Sequence, residues 1–119
     1  MQITKQQVVR LFNAIVAINE SSGKTPVRFA YAMARNRQRI AQEIASIHAA
    51  QSVALTPGEG DDADGRRLEF EALLAESVEF DPYRIRLDDC PTDIEIWAMD
   101  ALVECGIVDD GRDTDPPTD

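Results

Sequence analysis

Apolar positions in the first half of the chain recur at three- and four-residue steps, the period of a helix with one buried side. Val8, Leu11, Phe12, Ile15 and Ile18 form one such stripe. Thr4 with Gln7 makes a capping box ahead of it, and Ile3 with Val8 occupies the positions of a hydrophobic staple, so a helix is predicted to start at Thr4. Ser21-Ser22-Gly23 should end it. Thr25 then offers an N-cap with Pro26 at the first helical position, where a missing N–H is harmless. In the longer second helix, Phe29, Met33, Ile40, Ile44 and Ile47 make the large-residue stripe. Ala30, Ala34, Ala41 and Ala45 lie beside it as a small-residue face that another helix could approach closely. The short connection predicts an antiparallel helical hairpin over residues 1–55.

The pattern changes at Thr56. Residues 56–65 are rich in Gly and Asp, which predicts a flexible acidic loop. Leu68, Phe70, Leu73 and Leu74 then predict a short helix from Arg66 to about Ser77. Val78 to Asp81 and Tyr83 to Leu87 alternate like two short strands around Pro82, and a hairpin between them is expected. Two strands alone are barely stable, so they need a helix face or a second subunit to lie on. Pro91 should open the last helix, with Thr92 and Glu95 as an alternative capping box. Ile94, Trp97, Ala101 and Leu102 are expected inside, and Gly106 is placed for a left-handed C-cap followed by Ile107-Val108. Residues 109–119 carry acidic residues and Pro116-Pro117 with nothing to bury, which predicts a disordered tail. The expected fold is mainly α with a minor strand pair, in one domain over residues 1–108.

Charge divides the chain in the same place as the pattern. Residues 1–56 hold seven Lys/Arg against Glu20 and Glu43, whereas residues 57–119 hold five Arg against twenty Asp/Glu, within a net charge of −10. Such a split marks either an interaction surface or two halves that attract each other. The start of the chain lacks the basic, apolar and small-residue order of a signal peptide, and no apolar run reaches the ~20 residues of a membrane span, so a cytoplasmic protein without membrane association is expected. Cys90 and Cys105 flank the last predicted helix, about 20 Å apart by helical rise, and are expected reduced.

Candidate chemistry is sparse. Asp62, Asp64, Gly65 and Glu71 match a calcium loop in part, but Gly60 falls at its first ligand position and Arg67 where an apolar residue belongs, so no metal site is expected. His48 is the single histidine, and a triad would have to join it to Cys90 or Cys105 from far along the chain. No phosphate loop, dinucleotide fingerprint or G-x-S-x-G occurs. No catalytic residue and no cofactor is therefore assigned, and the chain reads as non-enzymatic. The sharpest feature is Arg28, Arg35 and Arg39 on one strip of the second helix, with Lys24 near its start and Tyr31 between them. Guanidiniums there could grip a nucleotide-like anion, or pair with carboxylates of the acidic half or of a neighbouring subunit. Extended duplex nucleic acid is disfavoured by the overall charge. The acidic half could instead imitate a polyanion and enter a basic groove of a partner. Ala30, Ala34, Ala41 and Ala45, with Tyr83 and Ile85 of the strand pair, are the expected oligomer interface.

Leu11-Phe12-Asn13-Ala14-Ile15, Val27 to Asn36, Phe70 to Asp81 and Ile85-Arg86-Leu87 together resemble the pattern of an uncharacterised family of small helical proteins encoded by tailed phages and prophages. The first helix is similar to an L-x-N-A-L motif at Leu11-Phe12-Asn13-Ala14-Ile15, and the second to V-x-x-A-x-x-x-A-x-N from Val27 to Asn36. Phe70 to Asp81 resembles F-x-x-x-L-L-x-x-x-V-E-x-D, followed by an I-x-L strand at Ile85-Arg86-Leu87 and a final helix. The charged insertion is shorter and the acidic tail longer than in that pattern. Small size, the absence of a catalytic constellation, separated charge and this phage-like pattern together lead to the expectation of a phage accessory protein that binds and blocks a host factor, such as an antiviral defence component. The alternatives are a virion or tail-assembly protein or chaperone, and an oligomeric sponge that sequesters a nucleotide signal through the arginine strip. Host or phage proteins, a nucleotide and further copies of the chain are the expected partners.

Overall fold

Thr4 starts the first helix through reciprocal hydrogen bonds. Its backbone N–H donates to Gln7 Oε1 at 2.8 Å, and the Gln7 N–H donates to Thr4 Oγ1 at 3.1 Å, which satisfies two of the donors that open every helix. The computed structural model describes residues 1–21, 25–55 and 63–109. In chain order the elements are β1 (Gln2–Thr4), α1 (Lys5–Ser21), α2 (Val27–Leu55), α3 (Ala63–Leu74), β2 (Ser77–Glu79), β3 (Ile85–Arg86), a 3-10 turn (Leu87–Asp89), α4 (Ile96–Glu104) and β4 (Val108–Asp109). The fold is mainly α, as the periodicity predicts.

Helix α1 is the central layer and packs on both α2 and α4. It contributes Val8, Leu11, Ala14, Ile15 and Ile18, α2 contributes Phe29, Met33, Ile40, Ile44 and Ile47, and α4 contributes Ala98, Ala101 and Leu102, with Cys105 just past its end. The predicted stripes of the first two helices are thus the core, except that Phe12 is half-buried at its edge. The Pro26 carbonyl accepts from the Ala30 N–H at 2.9 Å, and α2 starts one residue beyond the expected position. Its 29 residues span about 43 Å against about 26 Å for the 17 of α1. Past Ile47, α2 therefore outruns α1 and buries nothing fully. Helix α3 packs on α2, and Ala50, Val53 and Ala54 of α2 line a groove with Phe70 and Leu73 of α3.

The strand pairing differs from the expected hairpin. β2 pairs antiparallel with β1, Ile3 opposite Val78, and β3 pairs parallel with β4, Ile85 opposite Val108. The intervening residues do not turn back on themselves, because α2 takes their polar backbone. Asn36 Oδ1 accepts from the Tyr83 N–H at 2.8 Å, Asn36 Nδ2 donates to the Tyr83 carbonyl at 3.0 Å, and Arg39 Nη1 donates to the Asp81 carbonyl at 2.6 Å. Both strands thus find partners within the chain, which removes the original reason to require a second subunit for them.

The last helix begins at Ile96 rather than Pro91. Glu95, which would close a capping box with Thr92, instead accepts from the Trp97 indole N–H at 3.1 Å and keeps an extended backbone, φ −63° and ψ 148°. Trp97 is consequently 39% exposed rather than inside. The end of α4 follows expectation. Gly106 has φ +77°, its N–H donates to Val103 O at 3.0 Å and that of Ile107 to Leu102 O at 3.0 Å, the paired bonds of a Schellman cap. Further boundaries shift: residues 63–65, expected in the loop, are already helical, α3 ends at Leu74 so that Ser77 opens β2, Leu87 belongs to the 3-10 turn rather than a strand, and Asp109, expected in the tail, belongs to β4. The rest of the predicted loop, 56–62, and of the tail, 110–119, lie outside the described residues.

Candidate functional site

The outer side of α2 carries the arginine strip, and the structure divides it. Arg28 and Arg35 are exposed, whereas Arg39 lies across the 80–84 segment, on the Asp81 carbonyl and 5.9 Å from the Tyr83 ring centroid. Tyr31 meets Tyr83 edge to face at 5.4 Å. Two of the proposed anion ligands are therefore engaged in holding the chain's own loop. Lys24 lies outside the described residues. Beside Arg39 the surface dips into a cavity of about 130 Å³ that Glu43 and Glu79 also line. Small-molecule sites usually run from about 300 Å³ upward and keep like charge away from an anion.

Of the expected interface residues, Ala30, Ala34, Ala41 and Ala45 are exposed on α2, and Tyr83 is half-buried against Tyr31. Ile85 is not available, because it is 6% exposed in the core through its pairing with β4.

The charge split resolves in part inside the molecule. The Met1 α-ammonium lies 3.0 Å from Glu79, Lys5 2.7 Å from Glu76, Arg10 2.6 Å from Glu104 and Arg39 3.6 Å from Asp81. Each pair joins the basic half to the acidic half. His48 sits on the surface edge-on to Phe12, ring centroids 6.0 Å apart. Cys90 and Cys105 are free and buried, and burial pushes both thiols up to about 11, so neither is a thiolate nucleophile at neutral pH. Asp64 to Glu71 are helical and cannot wrap a calcium ion as a loop, and among the described residues no group of His, Cys, Asp and Glu could hold a metal ion.

A surface that the periodicity did not single out lies beside α4. The 3-10 turn and the extended stretch before α4 leave a groove of about 390 Å³, whose lining includes Leu87, Cys90, Pro91, Ile94, Ile96 and Met99. Ile96 is 80% exposed at its margin, and Leu87 and Trp97 are exposed as well. Residues 87–104 supply Asp88, Asp89, Asp93, Glu95, Asp100 and Glu104 and no Lys or Arg. The local signal was the all-acidic composition of this stretch; the groove was hidden because the helix was expected to begin five residues earlier, at Pro91, with Ile94 inside.

Comparison with protein-family models, with curated proteins and with solved structures found no match. Among the described residues no helix is long and apolar enough to cross a membrane.

Proposed function

We propose that the protein is a non-enzymatic binding protein of phage type that blocks a host factor by docking through the groove beside α4. The observation that supports this most is an apolar groove with Leu87 and Ile96 exposed on it and Asp100 in its lining, within residues 87–104, which carry six carboxylates and no Lys or Arg, although Arg86 just before them lies 4.0 Å from Asp88. Apolar anchors supply affinity when desolvated, and surrounding carboxylates steer a basic partner and fix its orientation. The partner class is accordingly a protein with a basic, apolar-studded surface, including one that normally holds a polyanion. The arginine strip serves a nucleotide less well, because Arg39 and Tyr31 are spent on Tyr83 and the adjoining cavity is small and partly acidic.

Affinity capture from bacterial lysate with quantitative mass spectrometry tests the reading. One host protein should be retained by the native chain, lost with Ile96→Glu or with Asp93→Lys/Asp100→Lys, and kept with Arg28→Glu/Arg35→Glu. Retention by the α4 variants with loss in the arginine variant would sink it. A nucleotide-sized mass retained in native mass spectrometry and lost on Arg35→Glu would transfer the function to α2.

A further inference from the structure

The fold assembles a basic patch that no single segment holds. Val27 to Gln42 on α2 contain Arg28, Arg35, Arg37 and Arg39 and no Asp or Glu, and Pro82 to Leu87 add Arg84 and Arg86, again without a carboxylate. The two stretches are held side by side by the Asn36 amide on the Tyr83 backbone, by Tyr31 against the Tyr83 ring and by Arg39 on the Asp81 carbonyl. Arg39 also pairs with Asp81, and Arg86 lies 4.0 Å from Asp88. Arg28, Arg35 and Arg84 are exposed and form no ion pair among the described residues. Arg28 and Arg35 stand one helical turn either side of Tyr31, and Arg84 follows Tyr83 directly. Three uncompensated guanidiniums beside a tyrosine pair stand out on a chain of net charge −10.

Position and charge select what covers the patch. β4 pairs parallel with β3, so Asp109 lies opposite Arg86. Arg84 is two residues back along that neighbouring strand, about 8 Å away by strand spacing and rise, and α2 adjoins Tyr83 directly. Beyond Asp109 the chain continues with Asp110, Asp113, Asp115 and Asp119 against a single Arg112. Extended backbone covers about 3.3 Å per residue, so Asp113 reaches about 13 Å and Asp115 about 20 Å from Asp109. Asp110-Gly111 is a turn-forming pair at the point where the chain must reverse to come back along β3. The opposite direction is closed by like charge, because residues 87–104 carry six carboxylates and no Lys or Arg.

We infer that the patch of Arg28, Arg35 and Arg84 is the docking site of the chain's own acidic segment 110–119, an intramolecular ligand carried in on β4. Each exposed arginine–carboxylate contact is weak. The short tether compensates, since it holds the segment at an effective concentration on the order of millimolar, and a contact of only millimolar affinity is then filled about half of the time. A free nucleotide gains the patch only by displacing the segment. The contact consists of exposed charges, so salt weakens it. Docking covers the free cations of α2 and leaves the acidic side of the molecule as the surface offered to others, but the inference does not depend on the α4 groove.

Paramagnetic broadening in the full chain decides it. A nitroxide is attached at Thr114→Cys; Cys90 and Cys105 are buried, which directs the label to the new thiol. At about 20 mM sodium chloride the amide signals of Arg28, Tyr31, Arg35 and Arg84 should be at least about two-fold weaker than with the label reduced, and at about 500 mM they should recover. Arg28→Glu/Arg35→Glu and, separately, Asp113→Lys/Asp115→Lys should each restore the signals at low salt. The arginine variant changes exposed side chains, and unchanged helical circular dichroism in both variants checks that the fold is kept. Full intensity at low salt, broadening indifferent to salt or to either charge reversal, or broadening centred on residues 87–104 would each overturn the proposal. Unbroadened signals that shift on adding adenosine triphosphate would overturn it in favour of a free nucleotide.

Discussion

Asn36 is the one fully buried polar side chain among the described residues, at 0% exposure, and it acts as a short piece of backbone. Its amide matches the N–H and C=O of Tyr83 as a neighbouring strand would, and its Nδ2 also donates to the Ala32 carbonyl at 2.8 Å. Removing it leaves two backbone groups of Tyr83 without these partners, each worth about 1–3 kcal/mol when buried. Asn36→Ala should lower unfolding free energy by about 3 kcal/mol in urea denaturation. A loss below about 0.5 kcal/mol would mean that water replaces the amide without cost. Asn36 was legible only as a letter in a resembling motif. It lies between Met33 and Ile40 on the buried side of α2, and nothing local predicts that its partner lies 47 residues on. The arginine strip was legible as a strip for the same reason that its division was not: spacing along one helix is local, and the loop that claims Arg39 comes from the other half of the chain.

Elements specified by neighbouring residues appear where the sequence places them. The Thr4–Gln7 box and the Gly106 cap each depend on contacts within five residues, and both form as expected. The strands depend on distant partners, and there local alternation predicts extended backbone at 78–81 and 83–87, of which 78–79 and 85–86 are strand, but not the pairing. α4 fails at its start for an intermediate reason, since Glu95 had two local partners to choose from and took Trp97. Gly106 offers the sharpest test at this scale. A Cβ there would sit at φ +77° and meet the Met1 Sδ at 2.8 Å. A left-handed conformation costs a non-glycine residue roughly 1–2 kcal/mol, and the close approach adds to it. Gly106→Ala should therefore drop the thermal midpoint by several degrees, by differential scanning calorimetry. An unchanged midpoint would show that the cap relaxes freely.

Across the whole molecule, the charge split is a matching rule as well as a surface property. The ion pairs Met1–Glu79, Lys5–Glu76, Arg10–Glu104 and Arg39–Asp81 join the two halves at partly exposed positions, where such a pair adds at most about 1 kcal/mol. Their value lies in orientation more than in strength. Arg10→Glu should destabilise by roughly that amount, and adding Glu104→Arg should recover most of it, measured as a double-mutant cycle in urea. Independent effects of the two substitutions would show that the 2.6 Å contact contributes nothing to the fold. What the pairs align is a chain whose two outer strands, β1 and β4, both close onto the short stretch between Ser77 and Arg86. That stretch cannot complete its hydrogen bonds until Val108 and Asp109 exist. On the ribosome the α1–α2 hairpin can therefore assemble early, while closure of the molecule must wait for its last described strand, so that a stalled or truncated chain leaves Ile85 without its cover.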